Sequence, residues 1–117
     1  MKEFQIPEMY MGIQIFACVV APSQKKAAEV LGRSLYEIKT YAHSFEPRSA
    51  AKDNPMEKHG IFEWSGQAPY FVPKNQIGVA IPWLVVKRMI REYKAKYPSW
   101  QDAEEAAKKN PSTRLLP

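Results

Sequence analysis

Apolar positions recur with two different periods along this chain, and the switches between them predict the elements. Residues 13–21 read IQIFACVVA, a nearly unbroken apolar run between Gly12 and Pro22. Such a run predicts a strand buried on both faces. From residue 24 the spacing becomes helical. Ala27, Ala28, Val30 and Leu31 supply the inner surface of a helix over 24–31, with Ser23 as N-cap and Gly32 as a permissive C-cap. A second helix over 34–42 opens at Ser34 and turns Leu35, Ile38, Tyr41 and Ala42 inward. The clearest stripe comes later: Val86, Met89, Ile90, Tyr93 and Tyr97 share one side of a helix over 82–97. Pro82 suits its first turn, and Pro98 stops it. Ser99, three residues ahead of Asp102, opens a last helix over 99–109.

Between these elements the pattern is shorter and more aromatic. IFEW and PYFVP flank Ser65-Gly66-Gln67 and predict a β-hairpin over 61–73. Residues 76–81 have the composition of a further short strand. Residues 43–58 are polar and carry Pro47 and Pro55. A connection of that length is either functional or hides a short element. Residues 1–11, with Pro7 and three methionines, read as a lead-in arm, and 110–117 as a flexible tail. The expectation is one α+β domain over 1–117. It combines a small sheet (strand 13–21, hairpin 61–73), a helix-turn-helix pair (24–31, 34–42) and C-terminal helices (82–97, 99–109).

Composition narrows the function classes. A chain of 117 residues, 45% of them apolar, can bury one core without disulfides or a metal. Cys18 is the single cysteine, so no internal disulfide forms and a reducing compartment fits. Lying in the apolar run, Cys18 reads as a small buried hydrophobe. The run 13–21 is far short of the ~20 residues that cross a bilayer, and Glu3 offsets Lys2 at once, unlike an export signal. A cytoplasmic protein without membrane contact is expected.

Catalytic chemistry is not evident. There is no phosphate-cradling glycine loop, no GxSxG and no HExxH, and the two histidines, His43 and His59, lie in or beside the polar stretch. One cysteine gives no zinc-ligand spacing. The reading is a non-enzyme with no cofactor and no metal site.

The net charge of +5 is concentrated. Residues 1–60 hold eight basic against seven acidic residues, whereas 82–97 hold Lys87, Arg88, Arg91, Lys94 and Lys96 against Glu92. Lys87, Arg88, Arg91 and Lys94 fall on one side of the helix away from its apolar stripe. A basic face of this kind suits phosphates, with Tyr97 and Trp100 near enough to stack on bases. It equally suits an acidic protein surface, or it is simply a solvated face.

One motif carries more specific information. In SQKKAAEVLGRSLYEIKTYAHS, Ala28 is the small residue at a helix crossing, Gly32 sits in the turn, and Ile38 packs the second helix down. Together with Ala27, Glu29, Leu31, Ser34 and Tyr41, this segment resembles the helix-turn-helix of excisionase and MerR-type DNA-binding domains. The resemblance covers residues 23–43 and implies a winged helix, with residues 61–73 as the wing. It implies that the second helix enters the major groove of duplex DNA, presenting Arg33, Tyr36, Lys39, Thr40 and His43. Arg33 suits guanine, and Lys39, Thr40 and Tyr36 suit phosphates or base edges. The long segment before the hairpin and the strand ahead of the first helix depart from those families. A purely architectural helix pair has the same sequence pattern.

A strand followed by SQKKAAEVLGRSLYEIK also resembles small phage and prophage proteins, which implies a mobile-element origin. Two functions follow as expectations. The first is a small DNA-binding regulator or recombination accessory factor, for which a C2 homodimer on a palindrome fits. The alternative is a phage-type interaction module that inhibits or modulates a host or defence protein, anchored by Phe62, Trp64, Tyr70 and Phe71.

Overall fold

Two nine-residue strands set the frame of the molecule. In a computed structural model, which describes residues 1–10, 12–48, 50–63, 72 and 74–109, β1 (Lys2–Tyr10) pairs antiparallel with β2 (Ile13–Ala21) from Lys2↔Ala21 to Tyr10↔Ile13. Gly12 stands at the reversal with φ 82°, a left-handed conformation that glycine adopts without a Cβ clash. The first ten residues are therefore a sheet strand and not a lead-in arm. The cause is a period-two pattern: Phe4 and Ile6 face one side and Glu3 and Gln5 the other, and all four are buried. Pro7 is tolerated because β3 pairs only with Glu3–Gln5, which leaves Pro7 on a sheet edge.

Three short strands complete a five-stranded antiparallel sheet. β3 (His43–Phe45), β4 (His59–Ile61) and β5 (Ala80–Pro82) join it in the order β3-β1-β2-β4-β5. The polar stretch 43–58 thus does hide structure: β3 and a 3₁₀ turn at Ala50–Asp53. A second 3₁₀ turn, Lys74–Gln76, precedes β5. The predicted hairpin at 61–73 is described only at its start, where Ile61 ends β4, and at Val72; residues 64–71 and 73, like the tail at 110–117, lie outside the described residues.

Helices cover one face of the sheet. α1 (Gln24–Leu31) packs on β2, α2 (Leu35–Tyr41) on α1 and β1, and α3 (Trp83–Lys96) on β4 and β5. Beneath α1 and α2 lie Phe4, Ile6, Ala17, Val19 and Ala21, which meet Ala27, Ala28, Leu31 and Ile38. Beneath α3 lie Ile15 and Ile81, which meet Val86 and Ile90 together with Phe62 and Val72. Trp83 touches both groups. The stripe read from the sequence is correct for α3, since Val86 and Ile90 are buried while Met89, Tyr93 and Tyr97 are partly so. α4 (Trp100–Lys109) follows, its first turn capped by Ser99, whose Oγ accepts from the Asp102 amide at 3.2 Å.

On the opposite face the 3₁₀ turn Ala50–Asp53 packs against β2 and β5. There Phe16, Cys18 and Val20 of β2 meet Ile61, Ala80 and Ala51 of the 3₁₀ turn. The fold is α+β, as the hydrophobic pattern predicts. No helix among the described residues is long and apolar enough to cross a membrane.

Candidate functional site

The α1–α2 turn is built by local chemistry. Gly32, at φ 67°, gives its N–H to the Glu29 carbonyl, and the Arg33 N–H bonds the Ala28 carbonyl at 3.0 Å. This 6→1 and 5→2 pair closes a Schellman motif. Ser34 then caps α2: its Oγ accepts from the Glu37 N–H, while Glu37 accepts from the Ser34 N–H, each at 3.1 Å. The turn and its caps therefore form where the sequence places them, but Leu35 and Tyr41, expected to face inward, are exposed, and on α2 Ile38 is the buried position. The pair's apolar positions Ala27, Ala28, Leu31 and Ile38 are spent on the sheet.

Arg33, the residue assigned to guanine, is occupied. Its Nε donates to Glu37 at 2.9 Å, a second nitrogen lies 2.9 Å from the same carboxylate, and a third lies 3.8 Å from Glu8. Glu8 also receives Lys58 at 3.1 Å, and the Lys58 ammonium sits 4.1 Å from the centre of the Trp83 ring. This network ties the α1–α2 turn to β1, to the start of β4 and to α3. The two bonds from the Ser34 N–H and Arg33 hold the Glu37 carboxyl below its ordinary range.

The other predicted residues of the pair do face outward. Tyr36, Lys39 and Thr40 are exposed on α2, Tyr36 at 71% and its neighbour Tyr41 at 56%. His43 is exposed too, but it belongs to the edge strand β3 and not to the helix. His43, Gln5, Cys18 and His59 stand in one cross-strand row. The two histidines are thus three strands apart, ~14 Å at the usual spacing.

The basic helix stands apart from α2, with α1 between them in the layer. Arg88, Arg91 and Lys94 are exposed and Lys87 is half-exposed. Among the described residues none of the four forms an ion pair. Lys94 and Lys96 lie in the last turn of α3, where the helix dipole favours cations. Lys94 reaches the β1–β2 reversal, its Nζ 3.5 Å from where a Cβ on Gly12 would stand. Lys87, Arg88 and Arg91 lie in mid-helix, where neither dipole nor partner accounts for their charge. Tyr97 is half-buried and packs against Tyr93 with centroids 5.2 Å apart.

Sequence reasoning missed a second polar site on the face away from the helices. Glu3 and Gln5 of β1, Ile61 of β4, Arg48, Glu63 and Gly78 line an open cleft of about 230 Å³. The Gln5 amide donates to the Glu3 carboxyl, and Arg48 lies over the Phe45 ring at 4.6 Å. The available signal was the alternation of Glu3-Phe4-Gln5-Ile6, which reads as a strand with one polar face once the segment is not taken for an arm. Cys18, fully buried on the same face, has its thiol pushed up to about 12 by burial, with Glu3 adding to the effect. His59 is also buried, and its Nδ1 donates to the Glu57 carbonyl at 2.9 Å. That assignment follows because a carbonyl only accepts.

Of the proposed aromatic anchors, Phe62 is fully buried against α3 and is not available to a partner, while Trp64, Tyr70 and Phe71 lie outside the described residues. Compared with protein families, with curated proteins and with solved structures, the chain finds no match.

Proposed function

We propose that this protein binds nucleic acid through the outward side of α3. The observation that carries this reading is the row Lys87, Arg88, Arg91 and Lys94, four cations with no ion pair among the described residues. From residue 87 to 94 the helix advances ~10 Å. That matches about three phosphates of one strand at their ~3.4 Å axial spacing. The likeness of residues 23–43 to a helix-turn-helix supports duplex DNA as the target, with Tyr36, Lys39 and Thr40 as the outward groups of α2. Arg33 has no part in it, because Glu37 and Glu8 hold its guanidinium. Contacts of this type neutralise phosphates without reading bases, so they position the protein more than they specify a sequence.

The test is fluorescence anisotropy of a labelled duplex across a salt series. About three phosphate contacts give a slope of log K against log salt near −3, and on the order of a 50-fold loss between 50 and 200 mM salt. The triple variant Lys87→Gln, Arg88→Gln, Arg91→Gln should flatten that slope toward about −1. No binding by the wild type at low salt, or an unchanged slope in the variant, rejects the proposal.

A second reading rests on a different observation: Tyr36, Tyr41 and Leu35 expose apolar surface on α2. Tyrosines are frequent anchors at protein interfaces, and an interaction module that engages a host or defence protein would use them. Stoichiometric binding of a protein that survives nuclease and fails with Tyr36→Ala supports this reading over the first.

A further inference from the structure

The cleft on the sheet face away from α1, α2 and α3 is lined by side chains of both signs. We infer that it is a binding site for a small zwitterion of the amino-acid class. Arg48 and Glu63 both line it, and neither forms an ion pair among the described residues. The Arg48 guanidinium is steadied over the Phe45 ring. The floor holds two polar side chains that are almost wholly buried, Glu3 at 0% and Gln5 at 5% exposure.

Burying polar groups at the bottom of a sheet is costly unless their hydrogen bonds are met. Here the Gln5 amide meets the Glu3 carboxyl, so the floor is partnered from within and Arg48 and Glu63 are the groups left to a ligand. Ile61 supplies an apolar wall, and Gly78, whose missing Cβ would touch nothing within 4 Å, leaves the rim open.

The charge pattern selects the ligand class. A guanidinium recognises a carboxylate, and Glu63 offers the complementary place for an ammonium group. A metal ion is a poorer occupant, since no three of His, Cys, Asp and Glu converge anywhere among the described residues. Size agrees: an opening of about 230 Å³ admits a small amino acid. The site stands independently of nucleic-acid binding, because α3 lies on the other face of the sheet.

Isothermal titration calorimetry on the whole chain tests the inference with three probes. L-serine carries both charges, ethanolamine only the ammonium, and lactate only the carboxylate. Serine should bind, and each half-probe should bind about 10- to 100-fold more weakly, the usual effect of losing one charge-assisted contact. Arg48→Ala and Glu63→Gln alter exposed side chains and should fold normally by circular dichroism, yet each should weaken serine by a similar factor. If serine does not bind at millimolar concentration, the inference is wrong. It is equally overturned if either half-probe matches serine, or if both variants bind serine like the wild type.

Discussion

Cys18 shows how position in a sheet decides the chemistry of a single side chain. It is wholly buried on β2, and burial with the nearby Glu3 carboxylate raises its thiol to about 12 from an ordinary 9.0. A thiol, not a thiolate, is present at neutral pH, so nucleophilic chemistry is suppressed. Native protein should resist alkylation by iodoacetamide at pH 8 and react only in denaturant, with mass spectrometry as the readout. The linkage has a definite sign. The folded state keeps the proton that the unfolded state gives up, so this stabilisation is intact below pH 9 and is lost as pH rises from there toward 12. Rapid native alkylation would mean that the strand opens far more readily than its packing implies.

Gly60 makes the matching case for space instead of charge. A Cβ there would stand 2.9 Å from Val86 Cγ2 and 3.2 Å from the Trp83 ring. Val86 is β-branched and fully buried, so it has little freedom to retreat. Gly60→Ala should therefore destabilise the fold by about 1–3 kcal/mol, read as a lower midpoint in urea with an unchanged m-value. A neutral result would show that α3 can lift from β4 at no cost.

Among the elements, the helix pair and the first strand mark how far the sequence was legible. The boundaries of α1 and α2 were readable because Ser23, Gly32 and Ser34 act within a few residues of themselves. Caps are local chemistry, so they survive without knowledge of the fold. β1 was not readable as a strand because Pro7 and the methionines obscured the alternation of residues 3–6, and only pairing with β2 makes that alternation matter. The basic row on α3 was legible from helical spacing alone. The cleft was not, since Arg48, Glu63 and Gly78 meet Glu3 and Gln5 only through strand order, which no local pattern encodes.

Arg33 belongs to the same lesson: its place after the Gly32 turn was legible, but its carboxylate partners come from α2 and β1. A prediction at this scale follows. Arg33→Ala should lower stability by about 0.5–1 kcal/mol through loss of the Glu37 and Glu8 contacts, and should leave the salt slope of duplex binding unchanged. Acid acts on the same corner. With its pKa held low, the Glu37 carboxylate stabilises the fold above its ordinary 4.5, and that contribution is lost as pH falls below it. A clear fall in the salt slope of Arg33→Ala would restore Arg33 as a phosphate or base contact.

For the whole molecule, the question is whether a net charge of +5 or one patch of it attracts a polyanion. A diffuse field would treat all exposed lysines alike, whereas a patch would not, because the Debye length near 0.15 M salt is only ~8 Å. The helix layer provides its own control. Lys25 and Lys26 are exposed on α1, and Lys26 is already 3.2 Å from Glu29. The double variants Lys25→Gln/Lys26→Gln and Arg88→Gln/Arg91→Gln remove the same formal charge from neighbouring helices of one layer. Patch binding predicts that the α3 pair weakens duplex binding about tenfold or more at 0.15 M salt, while the α1 pair changes it by less than about threefold. Both pairs lie on solvent-facing surface, so melting temperatures should stay close to the wild type and serve as the check on folding. Equal losses from the two pairs would reduce the interaction to bulk charge, and α3 would then be one basic helix among several. An unequal loss would locate the contact on α3, where Lys87, Arg88 and Arg91 have no ion pair among the described residues.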